Sequence, residues 1–262
     1  MLRFGMPTLI ELPEIEDCAA LCRELGLSFI ELNLNLPQYQ THNMDVQRLR
    51  AAAREYGISY TMHIDENLNP GDFNIYVAES YRKTALESIR LAKELGVPVL
   101  NMHLYRGVRF TLPDRKVYLY DEYLDTYMSN MRLFRDECEA AIGEADIKIC
   151  VENFCGYSQE QLQVLDMLLE SPVFGLTYDV GHNHCQRGID EPITLERVSR
   201  LHHMHLHDAK DGTKDHLALG KGVLDVARYL NLAKEHQLSV VLETKTVAGL
   251  TESVQYLRKN FE

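Results

Sequence analysis

Residues 90–103 read "RLAKELGVPVLNMH": apolar side chains at helical spacing as far as Leu95, then a glycine, then a short β-rich run ending in histidine. A change from a 3.6-residue to a two-residue period across one glycine marks a helix feeding a strand. The same pattern recurs in "ALCRELGLSFIEL" (20–32) and "RAAAREYGISYTMH" (50–63) and, without the glycine, in "NLAKEHQLSVVLET" (231–244). Helices alternating with short strands predict a parallel sheet covered by helices. The spacing places strands at Leu2–Met6, Ser28–Leu32, Ser59–His63, Val99–His103, Lys148–Glu152, Gly175–Asp179, Leu201–His207 and Ser239–Glu243. The longest helices are expected at Ile75–Leu95 and Tyr120–Glu144, and the last at Leu250–Asn260. Eight such units in 262 residues, with no glycine-rich phosphate turn, predict an α/β chain folded as a single (β/α)8 TIM barrel domain over 1–262.

Composition sets the outer bounds. With 45% hydrophobic and 25% charged residues, the chain has the make-up of a soluble globular protein. Its start lacks a basic segment before a long apolar run, and no stretch approaches the roughly 18 apolar residues of a membrane span. The expectation is therefore a cytoplasmic protein with no membrane partner. The six cysteines form no CxxC pair and are expected as thiols, with Cys155 and Cys185 close to proposed site residues. A net charge of −12 disfavours nucleic acid as a partner without excluding it, because bound metal would cancel part of that charge.

The strand ends carry the chemistry. In chain order they offer Glu31, His63, His103, Glu152, Asp179, His205 with His207, and Glu243. One strand-end acid is usually solvated or caps a helix. A closed barrel, however, points all these ends at one mouth, where carboxylates so crowded repel each other unless cations are present. The set implies a divalent metal, and mixed imidazole and carboxylate donors suit Zn²⁺, Mn²⁺, Co²⁺ or Fe²⁺. His182 lies three residues after Asp179, and Asp215 and His216 follow on a later loop. Five of the eleven histidines fall in "HHMHLHDAKDGTKDH" (202–216), where strand alternation puts His203, His205 and His207 on one face.

In order along the chain, "TMH", "NMHLY", "VENF", "YDVGH", "MHLHDAK", "HLALGKG" and "VLETK" resemble the xylose isomerase-like barrel superfamily, which includes endonuclease IV and many sugar isomerases and epimerases. The resemblance covers nearly the whole chain. It implies Glu152, Asp179, His205 and Glu243 as one metal set, and His63, His103, His182 and His216 as a second group like that with which endonuclease IV holds further zinc. It also makes His207 a residue of the rim or of the layer behind the ligands, and His203 a satisfied interior histidine. One to three ions per chain follow. Two departures stand out: "TKDHLALG" has Lys214 where endonuclease IV has the Asp of an Asp-x-His pair, and Lys221 occupies a position commonly Glu.

The first expectation is a metal-dependent isomerase or epimerase of a small sugar or sugar phosphate, in which Glu152 and Glu243 act as base and acid on opposite faces of the reacting carbon. His207, Lys245 and Tyr39, the last on the loop "LNLPQYQ" (34–40), are the expected substrate contacts, with Lys210, Arg106 and Arg109 as further cations for a phosphate. The alternative is an endonuclease IV-like zinc phosphodiesterase acting at abasic sites in DNA, favoured by the histidine set and disfavoured by the acidity and the missing Asp-x-His pair. The third is a metal-binding protein without turnover. A homo-oligomer is compatible with all three.

Overall fold

The computed structural model describes residues 2–261. In chain order its strands are β1 (Arg3–Pro7), β2 (Phe29–Asn33), β3 (Ser59–His63), β4 (Val99–His103), β5 (Arg109–Thr111), β6 (Lys116–Tyr118), β7 (Lys148–Glu152), β8 (Phe174–Asp179), β9 (Leu201–Leu206), β10 (Asp208–Lys210), β11 (Lys214–Leu217) and β12 (Ser239–Leu242). Eight of them form a closed parallel barrel in the order β1-β12-β9-β8-β7-β4-β3-β2. Three of the eight expected spans, Ser59–His63, Val99–His103 and Lys148–Glu152, coincide with the observed strands, and the others differ by one or two residues at an end. The helix expected at Ile75–Leu95 coincides as well. It is capped by Asn74, whose side chain accepts from the Tyr76 N–H, and it stops at Gly96, whose φ of 69° is a left-handed conformation that glycine adopts without steric cost.

Two hairpins depart from the expected pattern. Between β4 and the next helix the chain makes an antiparallel pair, β5 with β6, which replaces a plain loop. The helix expected at Tyr120–Glu144 is consequently split into Leu119–Glu122 and Leu124–Ile142, with Tyr123 at φ −121° and ψ 45° redirecting the chain off the hairpin. A second antiparallel pair, β10 with β11, follows β9. The last helix is longer than expected, at Val247–Phe261. Among the described residues no helix is long and apolar enough to cross a membrane.

Strand alternation divides the barrel into two chemistries. Ile30, Leu32, Met62, Met102, Val151, Met204, Leu206, Val240 and Leu242 are fully shielded within the apolar cluster between sheet and helices. The alternate positions, among them Glu31, Thr61, Asn101, Glu152, Thr177, Asp179, His203 and His205, are equally buried but polar. Barrel interiors are usually filled by Val, Ile and Leu, so this one has to satisfy its polar groups internally. Register does so by setting complementary residues side by side: Asp179 opposite His205, Glu152 opposite His103, and Asn33 opposite His63.

Candidate metal centre

The lowest polar layer is built on Glu31. Its carboxylate accepts from the Thr61 hydroxyl at 2.9 Å and from His203 Nε2 at 3.0 Å, while His203 Nδ1 meets the Ser239 hydroxyl at 2.5 Å. His203 is thus a satisfied interior histidine. The other Glu31 oxygen lies 2.9 Å from His205 Nε2. Burial alone would raise the Glu31 carboxyl, but the two imidazoles outweigh it and hold it below the usual carboxylate range.

With Nε2 turned toward Glu31, His205 presents Nδ1 upward to three carboxylates, at 3.3 Å from Glu152, 3.2 Å from Glu243 and 3.8 Å from Asp179. Glu152, Asp179, His205 and Glu243 each offer one donor atom within 4.8 Å of the others, and all four are buried. His205 Nδ1 and Glu243 Oε2 have no hydrogen-bond partner among the described residues. Buried, unpartnered donors of mixed N and O type, converging on one point from four strands, fit a divalent ion. A carboxylate behind the imidazole is the arrangement that fixes a ligating histidine's tautomer and basicity.

Neighbouring side chains lock these donors in place. Asn101 donates its amide to Glu152. Asn153 grips the Asp179 backbone twice, donating to its carbonyl at 2.8 Å and accepting from its N–H at 2.8 Å. Strand alternation could have flagged Asn101, which sits two residues before His103 on the same face. No local signal marked Asn153, whose partner is 26 residues away.

The remaining histidines form two further groups. His63 and His103 gather on Glu152, with Nε2 atoms 3.4 and 3.5 Å from the same oxygen. On the other side His182, His207 and His216 converge, with His182 Nδ1 3.2 Å from Glu152 and 3.6 Å from Asp179. Burial lowers the His63 and His182 imidazoles, yet the adjoining carboxylates raise them to about 9 and about 10. Burial instead wins at His216, which is lowered. Protons held on His63 and His182 balance part of the negative charge of the adjoining carboxylates.

Two expected substrate contacts are buried. His207 takes the second of the two places expected for it, the layer behind the candidate donors: Nδ1 accepts the His216 backbone N–H at 2.8 Å, which leaves the proton on Nε2 to be donated to Asp179, 3.1 Å from both oxygens. Gly181 makes room for this, since a Cβ there would meet the His207 ring at 2.0 Å. Tyr39 is buried in the apolar core, because the single 3-10 turn Pro37–Tyr39 rolls its ring away from the mouth. Asn35 and Leu36 of that loop line the mouth instead.

Lys245 lines the mouth, with Nζ 2.8 Å from Glu243 Oε1. Arg106 stacks over Tyr118 at 4.0 Å and pairs with Asp121, whereas Arg109 is exposed on the hairpin. Lys210 is partly exposed at the end of β10. Cys155 and Cys185 belong to none of the donor groups, and both are free thiols.

The model of the xylose isomerase-like TIM barrel family matches residues 19–260. A relative in Methanocaldococcus jannaschii, the uncharacterized protein MJ1188, is 25% identical over 88% of this chain and 83% of its own length. Among solved structures, a D-tagatose 3-epimerase-like protein aligns at a TM-score of 0.77 with 20% identity, covering 98% of this chain and 96% of that one. The 3-keto-D-glucoside 4-epimerase YcjR of E. coli aligns at 0.76 with 16% identity, covering 99% and 100%. At such identities the structural likeness shows a shared fold.

Proposed function

The chain belongs to the xylose isomerase-like TIM barrel family, and from that premise we propose that it is a divalent-metal-dependent epimerase or isomerase of a small sugar or sugar derivative. The observation that carries this reading is the buried Glu152–Asp179–His205–Glu243 group, in which two glutamates approach one donor point from strands on opposite sides of His205. The names of the aligned structures, a D-tagatose 3-epimerase-like protein and a 3-keto-D-glucoside 4-epimerase, agree with it.

A divalent ion held by these four residues would polarise a substrate carbonyl and make the neighbouring C–H more acidic. Glu152 and Glu243 then have distinct environments for proton transfer. Burial raises both, but His205 with His103 around Glu152, and His205 with Lys245 around Glu243, hold both well below the usual carboxylate range. Each therefore rests as a carboxylate able to accept a proton. Lys245, hydrogen-bonded to Glu243 at the solvent side, is placed to bind a substrate oxygen and to ease protonation changes at that glutamate. His207, donating to Asp179, orients that carboxylate and does not touch substrate.

A second reading has one observation of its own. The His63–His103–Glu152 group offers a second set of donors beside the first, as a multi-metal phosphodiesterase would need. One assay separates the two. Wild-type protein loaded with Mn²⁺, Co²⁺ or Zn²⁺ is offered a panel of ketoses, ketose phosphates and keto-glycosides, and in parallel an abasic-site oligonucleotide. Epimer formation without strand cleavage is the expected result; cleavage with no sugar converted would transfer the assignment to the phosphodiesterase.

A further inference from the structure

Two cavities open on the candidate metal-binding residues from different sides. One, of 280 Å³, has Glu31, His63, Glu243 and Lys245 in its wall. The other, of 360 Å³, has His103 and Glu152 at its inner end and runs outward past Phe154, Tyr105 and Tyr118. Glu66 borders both, so they are adjoining halves of one mouth. Each lies near the lower bound of a small-molecule pocket, about 300 Å³.

The halves differ in chemistry. The first has no Phe or Tyr in its wall and sets Glu31, Glu66, Glu243 and Lys245 beside apolar Ile10 and Leu36. The second is walled by aromatic rings, two of them well exposed: Phe154 stacks flat on His103, with centroids 4.5 Å apart and planes at 10°, yet stays 47% exposed, and Tyr105 is 45% exposed. Arg106 covers Tyr118 and stiffens the outer wall. Exposed rings clustered inside a cavity, rather than scattered over a surface, mark a binding face, and aromatic rings pack best against another flat ring. A monosaccharide whose reacting carbon lies between Glu152 and Glu243, with its oxygens at Lys245, spans the junction of the two cavities and leaves the outer part of the aromatic one, past Phe154, Tyr105 and Tyr118, open.

We propose that the aromatic half is a second subsite that takes a ring carried on the sugar, so that the substrate is a glycoside rather than a free monosaccharide. Glu66 at the junction faces the link between the two rings with a polar group, while Phe154 and Tyr118 take the second ring. The reaction at Glu152 rests on the epimerase or isomerase reading above; the ring preference does not.

The test is calorimetric titration of the full chain, with added Mn²⁺, using methyl β-D-glucopyranoside, phenyl β-D-glucopyranoside and cellobiose. Burying one apolar ring face should make the phenyl glucoside, cellobiose or both bind about tenfold more tightly than the methyl glycoside. Which of the two gains tells whether the subsite prefers an aryl or a sugar ring. Phe154→Ala and Tyr118→Ala, each checked for native circular dichroism, should remove that advantage. Equal binding of all three ligands, binding of none, or an advantage that survives both substitutions would overturn the proposal. Deuterium exchange into free ketoses on the same preparation separates the two failures. Exchange without a ring advantage discards the subsite and keeps the epimerase, whereas a ring advantage without exchange into any sugar does the reverse.

Discussion

Glu31 shows how far behind the candidate metal-binding residues the site is built. Its carboxylate holds Thr61 and His203 and sits against His205 Nε2, which is what turns Nδ1 toward Glu152 and Glu243. Glu31→Gln keeps the size and loses the charge, so metal affinity measured by titration of the metal-free protein should fall about 10- to 100-fold with the fold intact. Unchanged affinity would show that His205 is oriented without it. Gly181→Ala tests the placement of His207: the added methyl must displace the imidazole that donates to Asp179, and both thermal stability and metal affinity should drop. The face shared by His203, His205 and His207 was legible from strand alternation. Which of its two expected places His207 takes, the rim or the layer behind, was not, because the backbone N–H that fixes its tautomer comes from His216, across a hairpin with no periodic signal.

Among elements, the repeated helix–glycine–strand unit was readable because each copy carries its own periods and its own stop. The hairpins were not. β10 and β11 are short and partly exposed, and they depend on tertiary anchoring. That anchor is Asp208, a buried carboxylate accepting from the backbone N–H groups of Ala209, Gly220, Gly222 and Leu224 at 2.8–3.1 Å. It pins the loop that follows His216, and its partners are too dispersed in sequence to predict. Asp208→Asn replaces an accepting oxygen by an amide that points its own hydrogens at N–H donors. The substitution should cost about 2–4 kcal/mol in denaturant unfolding and speed amide exchange over residues 217–224. Exchange that accelerates evenly over the whole chain would contradict the anchoring role.

For the whole molecule, the dominant fact is a barrel interior that sets buried carboxylates among buried imidazoles. A ligand that binds only the folded state stabilises it by about 2.7 kcal/mol at a concentration one hundred times its Kd, worth roughly 5–10 °C in Tm for a chain of this size. Adding Mn²⁺ or Zn²⁺ to chelator-treated protein should produce a rise of that order. Asp179→Asn should largely remove it. The sign of its pH dependence follows from the raised imidazoles. His63 and His182, held at about 9 and about 10, contribute stability that is fully present below the ordinary histidine value and is lost as pH rises through those figures. Metal must displace the same protons, so its stabilising effect should be larger at pH 9 than at pH 6. The overall barrel and its ring of strand-end donors were legible because closure alone gathers eight strand ends at one mouth. The division of that mouth into a charged and an aromatic half was not, since Phe154, Tyr105 and Tyr118 come together only through loops and the β5–β6 hairpin. The central claim is that Glu152 and Glu243 exchange a proton at a carbon beside a carbonyl. Its most direct test is solvent deuterium incorporation into the keto-sugar panel at saturating metal, by the wild type and by Glu152→Gln and Glu243→Gln. The account predicts deuterium at one carbon with the wild type and its near-complete loss in each folded variant; exchange that persists in both variants would contradict it.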